Sequence, residues 1–258
     1  MTLFEKPPSG GGVTDREIHE ARIKRGLSRL SARHKRELRE QLGDPPDVRN
    51  VPIEWWKEVR KEQQAQMTAL LLLMAIPVAD DLLSQFGMEL DDRQRRNVER
   101  AVKKRTNWVS ERMRVTSRRQ VQRSLAHGRT ALQTANAVFG AARLERVAIT
   151  EATLATTAGT IGALEQYRDE TNGAGVAIWR LDPCCDHCTV CPMLADTPDT
   201  FWRAIAAMPV HVHCRCFTDF YPGTVREARA EGLIRKRNPA RRTVLREIRK
   251  RKLRVTRI

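Results

Sequence analysis

The chain changes character at Val176-Ala-Ile-Trp-Arg-Leu-Asp-Pro-Cys-Cys-Asp-His-Cys-Thr-Val-Cys191. The first six of these residues have the alternation of a β-strand, whereas most of the preceding sequence has helical periodicity. The predicted strand leads directly into cysteines, and all six cysteines of the chain lie between Cys184 and Cys216. The sequence therefore predicts that a strand leads into a cysteine-bearing site here.

The cysteines and histidines are spaced as two short groups of metal ligands. Cys188 and Cys191 form a C-x-x-C pair, and His211, Cys214 and Cys216 form an H-x-x-C-x-C group about twenty residues later. A tetrahedral zinc ion needs such groups, because each supplies close ligands and the intervening loop brings them together. The pattern predicts a bound Zn²⁺ with a structural role, since no open position beside a general base is evident.

More ligands are present than a zinc ion can use. The preferred set is Cys188, Cys191, Cys214 and Cys216, and His211 is a fifth candidate that can replace either member of the last pair. The other candidates within reach along the chain are Cys184, Cys185, His187 and His213. A disulfide-bonded loop and free buried thiols remain as alternatives. Disulfides fit poorly, because residues 1–12 lack the apolar core of a signal peptide and we expect a reducing cytosol.

The composition is that of a basic, helix-rich chain. Of 258 residues, 41% are hydrophobic, 30% are charged and only 5% are aromatic, which favours long helices over a dense core. The formal net charge is +16. A chain this basic binds polyanions by releasing their counterions, so double-stranded DNA, contacted non-specifically through its backbone, is an expected partner.

Most of the excess positive charge lies in residues 235–258. In this stretch 12 of 24 residues are Lys or Arg and only Glu247 is acidic. Such a run repels itself unless an anion neutralises it, so we expect a tail that is disordered or bound to DNA and removable without unfolding the rest. The residues expected to contact DNA are Arg241, Arg242, Arg246, Arg249, Lys250, Arg251, Lys252 and Arg254. A second basic zone runs from Arg93 to Arg129. It is interpreted equally well as a surface that binds a polyanion and as a helix face exposed to solvent.

The patterns along the chain divide it into four consecutive segments. Residues 1–12 are expected to be a flexible leader, 13–140 a helical region, 141–222 the cysteine-bearing module and 223–258 the basic tail. The expected fold class is mainly α, with an elongated helical region followed by a small α+β C-terminal module that carries a Cys/His metal site.

Two further expectations concern helix packing and membranes. Gly159 and Gly162, in the helix before the predicted strand, should allow a neighbouring helix to approach closely. The best apolar run, Met67 to Ala79, is too short to span a membrane and contains Pro77. No membrane association is therefore expected.

Several motifs in the second half of the chain occur in a recognisable order. They are Arg146-Val-Ala-Ile-Thr-Glu151, then Trp179 and Asp182, then Cys188-x-x-Cys191-x-x-Leu194, and finally Pro209-x-His211-x-x-Cys214-Arg-Cys216. In this order they resemble the phage head morphogenesis family, the minor head proteins similar to protein F of phage Mu. The resemblance covers about Arg143 to Phe217, less than a third of the chain. The chain departs from the family at two places. Family members commonly have a glycine shortly after the leucine, whereas Leu194 is followed by Ala195 and Asp196, and they often have a proline after the histidine, where this chain has Val212.

The resemblance implies a virion protein with no enzymatic activity. Members are similar to minor capsid proteins that associate with the portal during head assembly, lie near packaged DNA, and assist head morphogenesis and DNA packaging or delivery. It implies the portal protein and the major capsid protein as partners of residues 13–140, with 141–222 as the head morphogenesis domain. The implied location is inside the head near the portal, after assembly in the host cytoplasm.

Two other functions suit a basic chain with a Cys/His cluster. An HNH-type metal-dependent nuclease would use His211 and His213, but it needs a positioned Asn or His on a following helix. After Cys216 there is no histidine, and the next asparagine is Asn238 in the basic tail. A zinc-ribbon DNA-binding regulator would need a recognition helix, and no convincing helix-turn-helix is evident.

Overall fold

The structure is a computed structural model that describes residues 13–183, 188–205, 209 and 214–251. It confirms the expected fold class, since the protein is mainly helical, with 71% helix and 5% strand, and has a small sheet near its C-terminal end. Within the described residues the α-helices are α1 (Val13–Leu42), α2 (Ile53–Ser84), α3 (Asp92–Ala126), α4 (Ala131–Val138), α5 (Ala141–Glu170), α6 (Val190–Leu194), α7 (Asp199–Trp202), α8 (Val225–Ala230) and α9 (Arg241–Lys250). The strands are β1 (Val176–Arg180) and β2 (Phe217–Tyr221).

Local sequence signals account for several helix ends. Thr130 begins α4 with a reciprocal capping box to Gln133, and Thr224 begins α8 with the same arrangement to Glu227. Gly43 directly follows α1 with a φ of +75°, a left-handed conformation that glycine adopts without steric cost.

Two compact units, each discontinuous in sequence, make up the fold. One contains Leu72–Ala101 and the described parts of Met1–His19 and Ile149–Ile258, and the other contains Glu20–Leu71 and Val102–Ala148. Helices α1, α2, α3 and α5 contribute residues to both units. Long helices therefore do not end at the edge of a unit, and the four consecutive segments expected from the sequence stay a prediction.

The unit that contains Glu20–Leu71 has an aliphatic and aromatic core. Leu38, Trp56 and Val121 are buried together in it. The ring of Trp55 meets that of Trp56 edge to face at 4.7 Å, and its indole N–H donates a hydrogen bond to Glu37 at 3.0 Å. The two tryptophans therefore serve helix packing in this unit.

In the other unit, α5 packs closely against two helices, which confirms the expectation from its glycines. A Cβ atom on Gly159 would lie 2.3 Å from the carbonyl oxygen of Ala75, and one on Gly162 would lie 2.4 Å from Cγ2 of Val98. Real Cβ atoms do not approach so closely. The absence of a side chain at both positions therefore sets how near α2 and α3 come to α5.

The two strands form an antiparallel sheet whose register brings the two cysteine groups together. Val176 pairs with Tyr221 at one end, and Arg180 pairs with Phe217 at the other. The chain leaves β1 towards Cys188 at the same end at which it enters β2 from Cys216. The strand over Val176–Arg180 was predicted, whereas β2 was not.

Two segments are long and apolar enough to cross a membrane by length and composition alone. They are Ile53–Ser84, in which 44% of the apolar window is buried, and Ala131–Glu170, in which 83% is buried. Core helices of other proteins pass the same test, so this is weak evidence for a membrane span. The expectation of no membrane association remains a prediction.

Candidate metal centre

Four cysteine side chains converge beside the end of the sheet. The first group follows β1: Cys188 lies just before α6, and Cys191 lies within it. Cys214 and Cys216 immediately precede β2. All four are free thiols, and Cys188 is the only one of the four that is not fully buried.

The sulfur atoms have the spacing of metal ligands. The Sγ atoms of Cys188 and Cys191 are 3.5 Å apart, and those of Cys191 and Cys214 are 4.0 Å apart. The Sγ atoms of Cys191, Cys214 and Cys216 all lie within 4.8 Å of one another. Sulfurs at the corners of a tetrahedron with Zn–S bonds of about 2.3 Å are about 3.8 Å apart, whereas a disulfide bond is about 2.05 Å. Three buried cysteines therefore lie close enough to bind a metal ion, with Cys188 beside them.

The remaining candidate ligands cannot be compared in the same way. His211, an alternative ligand, lies outside the described residues. The other four candidates also lie outside them: Cys184, Cys185, His187 and His213. Among the described residues, the cluster consists of cysteines alone.

Crowding and burial raise the pKa of the thiols of Cys191 and Cys216 and so favour their protonated form. The pKa of Cys191 is raised, first by hydrogen bonds with Cys188, Cys214 and Cys216, and then by burial. For Cys216, the hydrogen bond with Cys191 lowers the pKa, but the hydrogen bond with Cys214 and burial raise it more. Several thiolates this close repel one another in a site with little water. A metal cation would remove that penalty and deprotonate them.

Trp179 of β1 contributes a polar group to the same cluster. Its indole Nε1 is buried and, within the described residues, has no hydrogen-bond partner of ordinary geometry. Its N–H nevertheless lowers the pKa of Cys216. A donor beside sulfur stabilises the charged thiolate, which is the form that binds metal.

The turn after α6 fixes Cys191 against β1. Asp196 adopts a left-handed conformation with a φ of +55°, and its N–H donates to the carbonyl oxygen of Trp179 at 2.8 Å. The Asp196 carboxylate accepts a hydrogen bond from Arg180 at 2.6 Å, and Arg180 also contacts Asp219 of β2 at 3.2 Å. Arg180 thus joins both strands to the turn that follows α6.

A buried ion pair supports the opposite end of β1. Arg168 of α5 binds both carboxylate oxygens of Asp199, at 2.9 and 3.0 Å, and donates to the carbonyl oxygen of Gly175. Asp199 is only 2% exposed. This ion pair was not predicted, because its members are 31 residues apart and neither belongs to a motif.

Helix α9 completes the core around the cysteines, which corrects the expectation of a disordered tail and argues against removal of the tail without unfolding the rest. Val244 and Ile248 are 0% and 4% exposed and belong to the same apolar cluster as Cys191, Trp179 and Trp202. Spaced four residues apart, they lie on one face of the helix and offset the repulsion between its charges.

Arg235 anchors the segment that leads to α9. Its N–H donates to the carbonyl oxygen of Asp196 at 2.9 Å, and its guanidinium donates to that of Pro192 at 3.1 Å. A cation at the end of α6 satisfies backbone acceptors that the helix leaves open. The part of the tail from Arg235 to Arg251 is therefore folded onto the cysteine module.

The predicted DNA-contacting residues form the solvent face of α9 and its C-cap. Those that the structure describes are all exposed: Arg241, Arg242, Arg246, Arg249, Lys250 and Arg251. Arg241 also donates to the carbonyl oxygen of Ala204 at 3.0 Å. Lys252 and Arg254 lie outside the described residues.

Comparison with known proteins assigns no relatives to this arrangement. No protein-family model matches the chain, and neither a curated protein nor a solved structure gives a significant match. The features of the chain that bear on its function are therefore the cysteine cluster, the basic helix α9 and the order of the motifs.

Proposed function

We propose that the protein is a minor head protein of a phage, in which a structural Zn²⁺ bound by Cys188, Cys191, Cys214 and Cys216 holds together a DNA-proximal module. The observation that carries the metal assignment is the set of sulfur distances, which bracket the edge of a zinc–thiolate tetrahedron. Four thiolates leave no coordination position for water or substrate, so the ion stabilises the fold and does not catalyse a reaction.

The position of the cluster supports a structural role. The four cysteines lie where a two-stranded sheet meets α6, and a sheet of two strands has little stability of its own. A metal ion that binds both cysteine groups converts its binding energy into folding energy. Trp179 and Trp202, whose rings meet edge to face at 5.6 Å, cover this small core.

The basic face of α9 supports a position beside DNA. Six exposed basic residues follow one another over about three turns, while the opposite face is buried in the module. Such a surface binds phosphates without reading bases. Portal association and location within the virion are proposed from the motif order Arg146–Glu151, Asp182, Cys188–Cys191 and Cys214–Cys216.

Elemental mass spectrometry of the purified protein, together with a thiol count, tests the metal assignment. We expect about one zinc per chain, with the four thiols becoming reactive only after chelation. Cys188→Ser and Cys214→Ser should each lose the metal. Cys184→Ser, which removes a cysteine outside the proposed set, is the matched control and should keep it. Retention of zinc by both ligand variants would show that the ligand assignment is wrong.

The virion role needs its own test. Mass spectrometry of purified particles should detect the chain, and the chain should co-purify with the portal protein encoded near it. Metal-dependent DNA nicking that His211→Ala abolishes would instead support the nuclease. Binding to one DNA sequence that survives high salt would support the regulator.

A further inference from the structure

A groove lined by arginines lies between α1 and α2 in the unit that contains Glu20–Leu71. Its volume is about 600 Å³. Gly26 forms part of its floor, where a Cβ atom would lie 2.7 Å from Cδ1 of Leu70, so the missing side chain lets α2 come close. Gln66 of α2 lines the opposite side. The arginines that line it are Arg22, Arg25, Arg29 and Arg33.

Three of these arginines have no counter-charge among the residues that the structure describes. Arg33 is held by Glu62 and, at 3.5 Å, by Glu37. Arg22, Arg25 and Arg29 are exposed and make no hydrogen bond or ion pair with any described residue, and the groove is lined by no acidic side chain. Like charges placed side by side are unfavourable unless an anion joins them. Guanidinium groups are also the side chains best suited to forked recognition of phosphate.

We propose that this groove binds the phosphodiester backbone of nucleic acid, with Arg22, Arg25 and Arg29 as the phosphate contacts. Along the axis of α1, Arg22 and Arg29 are about 10 Å apart. One strand of a duplex carries one phosphate per 3.4 Å of axis, so this length spans about three phosphate spacings. A single phosphate or nucleotide would leave two arginines uncompensated. An acidic peptide reaches the same charge density only when nearly every residue is acidic.

The groove is a second nucleic-acid surface, separate from the basic face of α9, and its assignment does not depend on the metal centre or on a virion role. Binding of the full-length protein to a labelled duplex of mixed sequence, followed by fluorescence anisotropy over a series of salt concentrations, measures it. The triple substitution Arg22→Gln, Arg25→Gln and Arg29→Gln should lower the slope of log K against log salt by about 2 to 3. It should also weaken binding at low salt by about tenfold or more.

The matched control removes the same charge from the same helix. Lys35→Gln, Arg36→Gln and Arg39→Gln change residues that do not line the groove, so the slope should stay within about one of the wild-type value. Equal losses in both triple variants would mean that only net charge matters, and the groove assignment would be overturned. Replacing the three groove arginines by lysine keeps the charge and the fold. That variant should keep the slope but bind several-fold more weakly, because the forked contacts are lost.

Two comparisons separate the remaining outcomes. If the glutamine triple variant loses binding to polyglutamate but keeps its affinity for DNA, the partner is an acidic protein and the proposal is wrong. The α9 variant Arg242→Gln, Arg246→Gln and Arg249→Gln tests the other surface. If only the α9 variant weakens DNA binding, α9 contacts DNA and the groove proposal is wrong. If only the groove variant weakens DNA binding, the groove contacts DNA and the proposed role of α9 is wrong.

Discussion

The hydroxyl group of Thr153 donates a hydrogen bond of 2.7 Å to the carbonyl oxygen of Cys214, across 61 residues of sequence. Both groups are buried. The contact holds the segment that carries Cys214 and Cys216 against the middle of α5, so protein packing as well as any bound metal orders this segment. Sulfur positions that are fixed before metal binds reduce the entropy lost when it does.

Substitution of Thr153 by valine should therefore destabilise the protein. The side chain keeps its shape, but the buried carbonyl of Cys214 loses its donor, which costs about 1 to 3 kcal/mol. Chemical denaturation measures the change, and zinc affinity should fall in parallel. Thr156→Val is the control, because among the described residues the Thr156 hydroxyl bonds only to carbonyls of its own helix. Equal stability of the two variants would contradict the prediction.

Gly159→Ala should lower stability, although alanine is the better helix former. Helix propensity alone predicts a gain of up to about 1 kcal/mol. The new Cβ would lie 2.3 Å from the backbone oxygen of Ala75, and overpacking against backbone typically costs about 1 to 3 kcal/mol. A thermal melt decides between the two effects. A raised melting temperature would show that α2 and α5 are not in close contact.

Ile248→Ala in α9 should destabilise the cysteine module by about 2 to 4 kcal/mol, because it leaves a cavity beside Cys191 and Trp202. Arg246→Ala, on the exposed face of the same helix, should change stability by less than about 0.5 kcal/mol. Truncation after Gly232 should expose the four thiols to alkylation. A truncated chain with protected thiols would restore the original expectation of a separable tail.

Stability should fall as the pH drops below about 6.5, because of His34. Burial lowers the pKa of His34 from its ordinary value of 6.5, and this outweighs its hydrogen bond of 2.6 Å to Glu62. As the pH falls, the unfolded chain therefore takes up the proton before the folded chain does. The stability that neutral His34 contributes is fully present above pH 6.5 and is lost as the pH falls to the lower pKa of the folded state. Glu62 stays ionised in this range. Burial raises the pKa of Glu62, but the hydrogen bonds from His34 and Arg33 lower it by more, so the net shift is downward.

Denaturation of the His34→Gln variant between about pH 7 and pH 5 tests this assignment, since glutamine does not titrate. The variant should lose most of the pH dependence seen in the wild type. His127→Gln removes an exposed histidine and should leave the dependence unchanged. A wild-type slope that persists without His34 would assign the effect to other groups.

Local patterns made much of the cysteine module predictable. Alternation predicted β1, the missing side chains of Gly159 and Gly162 predicted a close helix contact, and C-x-x-C with C-x-C predicted a thiol cluster. The strand β2 was missed because Phe217-Thr-Asp-Phe-Tyr221 is short and follows the cysteines without a turn signal. His211 lies outside the described residues, so the choice between histidine and cysteine as a ligand stays a prediction.

Tertiary relationships set the limit of the sequence analysis. Most residues of α9 are charged, so its sequence predicted an exposed tail. The spacing of Val244 and Ile248, which places both on one buried face, did not outweigh that charge. The arginine groove arises only when α1 meets α2, and no local pattern indicates which helices pair. The division into discontinuous units has the same origin, because residues from one long helix contribute to two cores.

The packing of Ile248 against the cysteine module also determines the order in which the chain can fold during synthesis. Cys188 precedes Ile248 by 60 residues, so at ordinary elongation rates it leaves the ribosome about 3 to 12 s earlier. During that interval β1 and α6 have been synthesised, but α9 does not yet cover the thiols. Oxidation, mispairing or premature capture of a metal has its best opportunity then, and release of the segment through Ile248 ends it.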